Sequence, residues 1–475
     1  MFRALGRSAQ LTTRRLPAYR STSNRAFSTT SWANYKVLFF GTDEFARGVL
    51  KELYEDSQTS NPIVTHLELV CPPHQFIPKG KKIKLKWKAD TSRLSSKHGI
   101  KTHFIPTADE GRMLEWAVPR APNDEPFDIG IVASFGAFLP RRVINEFPLK
   151  MLNVHPSLLP KYRGPSPIET AILNNDKSTG ISIQEVHPTK FDAGKVLAQT
   201  PYEIKSGINR KQMSQEMGIE GGKLLLGVLR DLDNMRKRSW EQDESQVTKT
   251  RLFSNLDLQI NWQTMTAQHI ARMYCAHYER YTPWTHLRVK NSLKLVKFLV
   301  LGLPQGQKHM PVRRDFLELA PGTMSHQRKT NYIEFNCIGG GRILVTRFIV
   351  EGKQSCDGLQ FNAGYIKKFK AERMLSEHVD MNRPTPPFKY PEGYTKPSLE
   401  EALHMFDTPL AVKVPEFSPT SLRYSMKEAF GIKPRSEPKK QEAIESQEAI
   451  ESQEPAESQE PAEKPHPAEK PEANE

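Results

Sequence analysis

Between Asn34 and Arg238, short apolar runs alternate with segments whose apolar residues recur every three or four positions. That alternation restricts the region to a layered α/β fold. Thr42 stands before Asp43 and Glu44, and Phe45, Val49 and Leu53 then share one face, so a helix capped by Thr42 is expected to pack on the sheet. Leu224, Leu225, Val228, Leu229 and Leu232 give a later helix that closes the domain. Gly41 lacks the fuller glycine fingerprint of a dinucleotide site, so a Rossmann-like shape here does not imply NAD.

Met151-Leu152-Asn153-Val154 reads as a strand that stops at Pro156. Asn153 and His155, two residues apart, then face the same side, at the strand end where open α/β sheets bind ligands. Gly180 to Val186 reads as a second strand whose outgoing loop carries Asp192, and a neighbouring position would return that carboxylate to the imidazole. Singly, such residues are most often turn or capping residues. Jointly they are harder to dismiss: Asn-Val-His-Pro-Ser-Leu-Leu-Pro is followed by Arg163-Gly164, Pro167-Ile168 and Phe191-Asp192-Ala193-Gly194.

These motifs, with Val37 to Thr42 as first strand and turn and Asp128 to Pro140 as central strand and loop, resemble the methionyl-tRNA formyltransferase family from Lys36 to about Trp284. The resemblance implies a Rossmann-like α/β formyltransferase domain followed by a small oligonucleotide-binding-type β-barrel domain. It implies 10-formyltetrahydrofolate as formyl donor and the amino group of initiator methionyl-tRNA as acceptor; no metal is expected, because no His, Cys or carboxylate cluster has ligand spacing. Asn153, His155 and Asp192 are then the catalytic residues. An amine attacking a formyl carbon builds negative charge on the carbonyl oxygen, which the Asn amide and the imidazole can meet, and a carboxylate near a histidine can take or direct the amine's proton. Ser134, Phe135, Gly136, Ser157, Leu158, Leu159, Pro160, Phe191 and Gly194 are implied as donor contacts. The loop Val186 to Phe191 is one residue longer than the bacterial pattern and carries Lys190, as in the mitochondrial branch, so the folate-facing loop is expected to be reshaped; His187 is read as a loop residue.

Lys79 to Lys88 holds six lysines in ten residues. Such a run is usually a solvated face. It follows Cys71-Pro72-Pro73, where the family carries an inserted basic loop that enters the acceptor end of tRNA, so Lys79, Lys81, Lys82 and Lys84, with Arg163, are expected to contact tRNA. Trp87 is read either as a base-stacking side chain or as a core residue.

The remaining organisation follows from composition. Residues 1–33 hold six arginines, and no acidic residue precedes Asp43, so they read as a mitochondrial transit peptide with Arg25 to Ser28 as processing point and the matrix as destination. No apolar run approaches the roughly 20 residues of a membrane span. The catalytic domain is expected over 34–238, a linker over 239–253, the barrel domain over 254–380, an extension over 381–435 and a disordered acidic repeat tail over 436–475. A helix around Ala267 to Tyr274 and β-rich runs at Ser292 to Val300, Asn331 to Cys337 and Arg342 to Val350 define the barrel, with Leu303 to Arg314 as an inserted loop. Residues 441–475 carry eleven Glu and two Lys, so with +14 overall the rest of the chain is +23, or +17 without the six leader arginines. A body this basic points to a polyanionic partner. Cys71, Cys275, Cys337 and Cys356 have no short paired spacing, which suggests neither a zinc site nor a disulfide framework, and Cys275 and His277 read as packing residues. A monomer is expected. Two other readings remain: a formyltransferase for another amine, on a ribonucleotide or an amino sugar, and a catalytically inactive mitochondrial RNA-binding protein.

Overall fold

The computed structural model describes residues 34–79, 82–106, 113, 115–304, 319–326, 330–369 and 374–375. The leader, the extension, the acidic tail, Lys81 and nearly all of the inserted loop after Leu303 lie outside these residues.

The elements of the first part are β1 (Tyr35–Gly41), α1 (Glu44–Ser57), β2 (Val64–Cys71), β3 (Gln75–Lys79), β4 (Lys82–Trp87), α2 (Asp90–His98), β5 (Thr102–Phe104), β6 (Ile129–Ala133), α3 (Arg141–Ile144), β7 (Met151–His155), α4 (Pro167–Leu173), β8 (Ser178–Glu185), β9 (Val196–Glu203), α5 (Arg210–Arg230) and α6 (Leu232–Lys237). One sheet runs in the order β5-β2-β1-β6-β7-β8-β9. Its strands are parallel as far as β7, and β8 and β9 are antiparallel. Strand β1 is buried at every residue but Lys36, as a parallel strand covered on both faces requires. Phe45, Val49 and Leu53 are buried as their spacing predicts. The helix cap differs from expectation. Asp43 is the N-cap, its carboxylate accepting from the backbone of Phe45 at 3.1 Å and Ala46 at 3.2 Å, whereas the Thr42 hydroxyl donates to the Phe135 carbonyl at 2.8 Å. The helix begins one residue later, so Thr42 is free to tie the end of β1 to the loop after β6.

Buried Asp56, near the end of α1, accepts from the backbone amides of Ile63 at 2.8 Å and Val64 at 2.9 Å. Asp56→Ala would strand two buried N–H groups, at about 1–3 kcal/mol each. Urea unfolding should register a loss of roughly 2–6 kcal/mol, and a loss below about 1 kcal/mol would show that this tie between α1 and β2 carries little.

The lysine run forms an antiparallel hairpin rather than a loop. Its register pairs Lys79 with Lys82 and Ile77 with Lys84, and Trp87 at its end packs against the main core, as the core reading of that residue has it.

Because β8 runs antiparallel to β7, its end lies beside the start of β7, where the Val186 amide bonds the Met151 carbonyl at 2.9 Å. The segment after β8 leaves from that end and turns back through Phe191-Asp192-Ala193-Gly194 to reach β9 at Val196.

The segment expected to be a linker is laid down on the first sheet. Trp240 exchanges both backbone bonds with Val196, at 2.9 and 3.1 Å, Thr248 accepts from the amide of Arg163 at 2.9 Å, and the Thr250 amide donates back to the Arg163 carbonyl at 2.7 Å. Beyond it come α7 (Ala267–Ala276), β10 (Trp284–Val289), β11 (Ser292–Gly302), β12 (Met324–Ser325), β13 (Ile333–Asn336), β14 (Arg342–Val350), β15 (Cys356–Asp357), α8 (Gly358–Phe361) and β16 (Met374–Leu375). These strands form an antiparallel sheet in the order β12-β13-β14-β11-β10-β16, with β15 on β14. The sheet curls until its two ends approach, the Met374 amide donating to the Gly322 carbonyl at 2.9 Å. Trp262, Phe298, Phe335, Phe348 and Phe361 fill the curl, and Cys275 and Cys337 are buried with them. No helix among the described residues is long and apolar enough to cross a membrane.

Candidate active site

Alternation along β7 puts Asn153 and His155 on one face, and the antiparallel register adds Gln184 opposite Asn153 and Ser182 opposite His155. The turn after β8 lays Asp192 over that face. Its Oδ1 accepts from Asn153 Nδ2 at 3.1 Å and from Gln184 Nε2 at 3.1 Å, and lies 3.5 Å from His155 Nδ1. Its Oδ2 accepts from the Gly164 amide at 2.9 Å. Asn153, His155 and Asp192 therefore converge.

The imidazole is oriented by the other ring nitrogen. His155 Nε2 lies 3.0 Å from the Tyr162 carbonyl, and since a carbonyl oxygen can only accept, Nε2 carries the ring hydrogen. In the neutral ring, Nδ1 is then a lone pair turned toward Asp192. It can take a proton between ring and carboxylate, and once protonated it becomes a donor paired with Asp192. The expected donation from imidazole to a developing oxyanion can come from Nδ1 alone. Asn153 spends one amide hydrogen on Asp192 and has a second for the same oxyanion.

The other expected contacts divide. Phe191 is 72% exposed and meets Phe138, itself 56% exposed, edge to face at 5.8 Å, so two phenyl rings stand open beside the carboxylate. Ser134 and Gly136 both have positive φ, 41° and 76°, in the loop after β6, and Phe135 between them is buried edge-on against Phe40. Leu158 and Pro160 are half-buried. Ser157, Leu159 and Gly194 are buried: Ser157 Oγ donates to the Lys161 carbonyl at 2.6 Å, the Leu159 amide donates to Ser182 Oγ at 3.0 Å, and a Cβ on Gly194 would stand 1.7 Å from the Glu185 carbonyl oxygen. His187 caps its own loop, Nδ1 accepting from the Lys190 amide at 3.0 Å.

The buried guanidinium of Arg163, expected at tRNA, donates to Gln242 Oε1 at 2.8 Å and to Glu244 at 3.0 Å. Arg163 in turn holds the Glu244 carboxyl below the usual carboxylate range. Two glutamines missed in the sequence complete the site, Gln184 on β8 and Gln242 in the segment after α6. The first follows only once β8 is known to run against β7; the second carries no sequence signal.

Comparison with known proteins places this geometry. A family model described as formyl transferase matches residues 35–229, and one described as the formyl transferase C-terminal domain matches residues 254–365. The mitochondrial methionyl-tRNA formyltransferase of Homo sapiens is 31% identical over 340 residues, covering 70% of this chain and 78% of that protein. The chain belongs to the methionyl-tRNA formyltransferase family. The mitochondrial member from Rattus norvegicus is 28% identical over 340 residues, 70% of this chain and 79% of that one, and the member from Streptococcus mutans is 34% identical over 228 residues, 48% and 68%. Both family domains are thus represented, and the described segment between them, residues 230–253, is the one that carries Gln242 and Glu244 to the site.

Proposed function

We propose that this enzyme transfers the formyl group of 10-formyltetrahydrofolate to the amino group of initiator methionyl-tRNA in the mitochondrial matrix, for initiation of translation. The observation that carries the reading is the single Asp192 carboxylate bonded to Asn153 at 3.1 Å and set 3.5 Å from His155 Nδ1. The human and rat relatives are named as mitochondrial methionyl-tRNA formyltransferases.

The donor would lie against the exposed phenyl pair of Phe138 and Phe191, whose open faces suit a flat aromatic group. When bound it supplies the formyl carbon as electrophile, with a nitrogen leaving group that must recover a proton. Asn153 offers its second amide hydrogen to the formyl oxygen as it becomes negative, and His155 Nδ1, once it holds the proton shed by the amine, can share that hydrogen between the same oxygen and Asp192. The Asp192 and His155 pair receives the proton shed by the attacking amine and can return one to the departing nitrogen. Gly164 N–H and Gln184 Nε2 keep the carboxylate aimed without meeting the reactants.

The decisive experiment incubates residues 34–475 with labelled formyl donor, methionyl-tRNA, a ribonucleotide amine and an amino sugar. Label in methionyl-tRNA alone is expected, and label in either small amine instead would sink the reading. The hairpin of β3 and β4 is proposed to bind the tRNA backbone through Lys79, Lys82 and Lys84, and Lys81 is proposed as a further contact. Changing Lys79, Lys82 and Lys84 to Ala is expected to raise KM for charged tRNA about tenfold at physiological salt and to flatten its salt dependence, with KM for the donor unchanged. An unaltered salt slope would remove the hairpin from tRNA binding.

A further inference from the structure

Gln242 lies in the segment joining the two sheets and is 8% exposed. Its Nε2 shares two hydrogens among three acceptors, the Asp192 carbonyl at 2.9 Å, the Gly194 carbonyl at 2.9 Å and Gln184 Oε1 at 3.2 Å. Its Oε1 accepts from Arg163 Nε at 2.8 Å. Arginine can only donate, so the amide is locked with its hydrogens toward the turn that carries Asp192.

That turn needs holding. Asp192 has φ of 52°, in the left-handed region, which costs a non-glycine residue about 1 kcal/mol or more. Relaxation of the backbone would swing the carboxylate away from Asn153 and Gly164. Gln242 grips the carbonyls on both sides of Ala193, and Gln184 adds a second grip, its Oε1 accepting from the Gly194 amide at 3.2 Å while its Nε2 holds the carboxylate at 3.1 Å. From the other side Arg163 is anchored by Glu244 of the same segment.

We infer that Gln242 is a positioning residue for the transfer step: it clamps the left-handed turn so that Asp192 stays against Asn153 and His155, and so ties catalysis to the segment that leads to the second domain. The inference rests on the proposed formyl transfer. A group that acts only on the geometry of a carboxylate needed in the transition state alters kcat and leaves substrate binding nearly unchanged.

Two variants of the full chain test this. Gln242→Leu removes all four bonds, whereas Gln242→Glu keeps an acceptor for Arg163 and replaces the donor that faces three oxygens. Both are expected to lower kcat by about tenfold or more, with KM for either substrate within about threefold. Trp240→Ala loosens the same segment at a side chain that is 43% exposed and makes no bond to the turn; it is expected to keep kcat within about twofold. If Gln242→Glu turns over within twofold of the parent, or if Trp240→Ala loses as much at an equal loss of melting temperature, the clamp is overturned. Amide exchange of residues 190–194 reads the same clamp without turnover, and is expected to speed up about tenfold or more in Gln242→Leu but not in Trp240→Ala. Unchanged exchange overturns the inference whatever amine the parent enzyme formylates, and a parent that leaves methionyl-tRNA unlabelled overturns the proposed function alone.

Discussion

Replacing Asp192 by Asn is expected to lower kcat by about a thousandfold while shifting the melting temperature by no more than about 4 °C. The carboxylate is approached on both oxygens by donors, Asn153 and Gln184 on Oδ1 and Gly164 on Oδ2. An amide of the same shape must set its own NH2 against one of these sets of donors, losing a bond as well as the negative charge. A proton acceptor in general-base chemistry is worth about 10²–10⁴ in rate, equivalent to about 3–5 kcal/mol of barrier. The carboxylate is half-buried at the edge of the fold, so its loss should not propagate into the core. Single-turnover formylation together with a thermal melt separates the two effects. Turnover within tenfold of the parent would show that Asp192 neither accepts nor directs the proton, and a collapse of the melt would make its role structural.

How far the site could be read in the sequence depended on the distance over which each residue is held. Asn153 and His155 were legible because a strand's two-residue period fixes their common face. Asp192 was legible as part of a motif, but not the path by which it arrives, since nothing in Gly180 to Val186 says that the strand runs against β7. Gln184 followed from that direction and was missed for the same reason. Gln242 sits in a polar, charged stretch read as a linker, and its partners lie 48 to 79 residues away. Arg163 was expected to contact tRNA, and its bonds to Gln242 and Glu244, 79 and 81 residues on, could not be read from its neighbours in the sequence. The first helix was legible and its cap was off by one residue, because Thr42 and Asp43 are both good caps and only the tertiary bond from Thr42 to Phe135 decides between them. The curled second sheet was visible as β-rich runs, but not the approach of its two ends, where the Met374 amide meets the Gly322 carbonyl.

Gly194→Ala is expected to be the most damaging small change in the site, with activity falling about a hundredfold or more and stability by about 2–4 kcal/mol. The added carbon would stand 1.7 Å from the Glu185 carbonyl oxygen and 2.8 Å from its carbon, and both belong to backbone held in β8, so no side chain can swing aside. The turn must move instead. It carries Asp192 two residues earlier, and its displacement would break the Gly194 contacts to Gln184 and Gln242 that keep the carboxylate in place. Geometry lost at the reacting groups by about 1 Å can cost a factor near 10². Gly136→Ala provides the contrast: its φ of 76° makes the substitution strained, but nothing lies within 4 Å of the added carbon. It should cost only about 1 kcal/mol, with no displacement of Asp192. Measured kcat and urea unfolding for the pair decide the matter. Gly194 itself has no positive φ, so equal losses in both would show that the approach of the added carbon to β8 costs no more than the strain at Gly136, and would remove that packing as the reason glycine stands there.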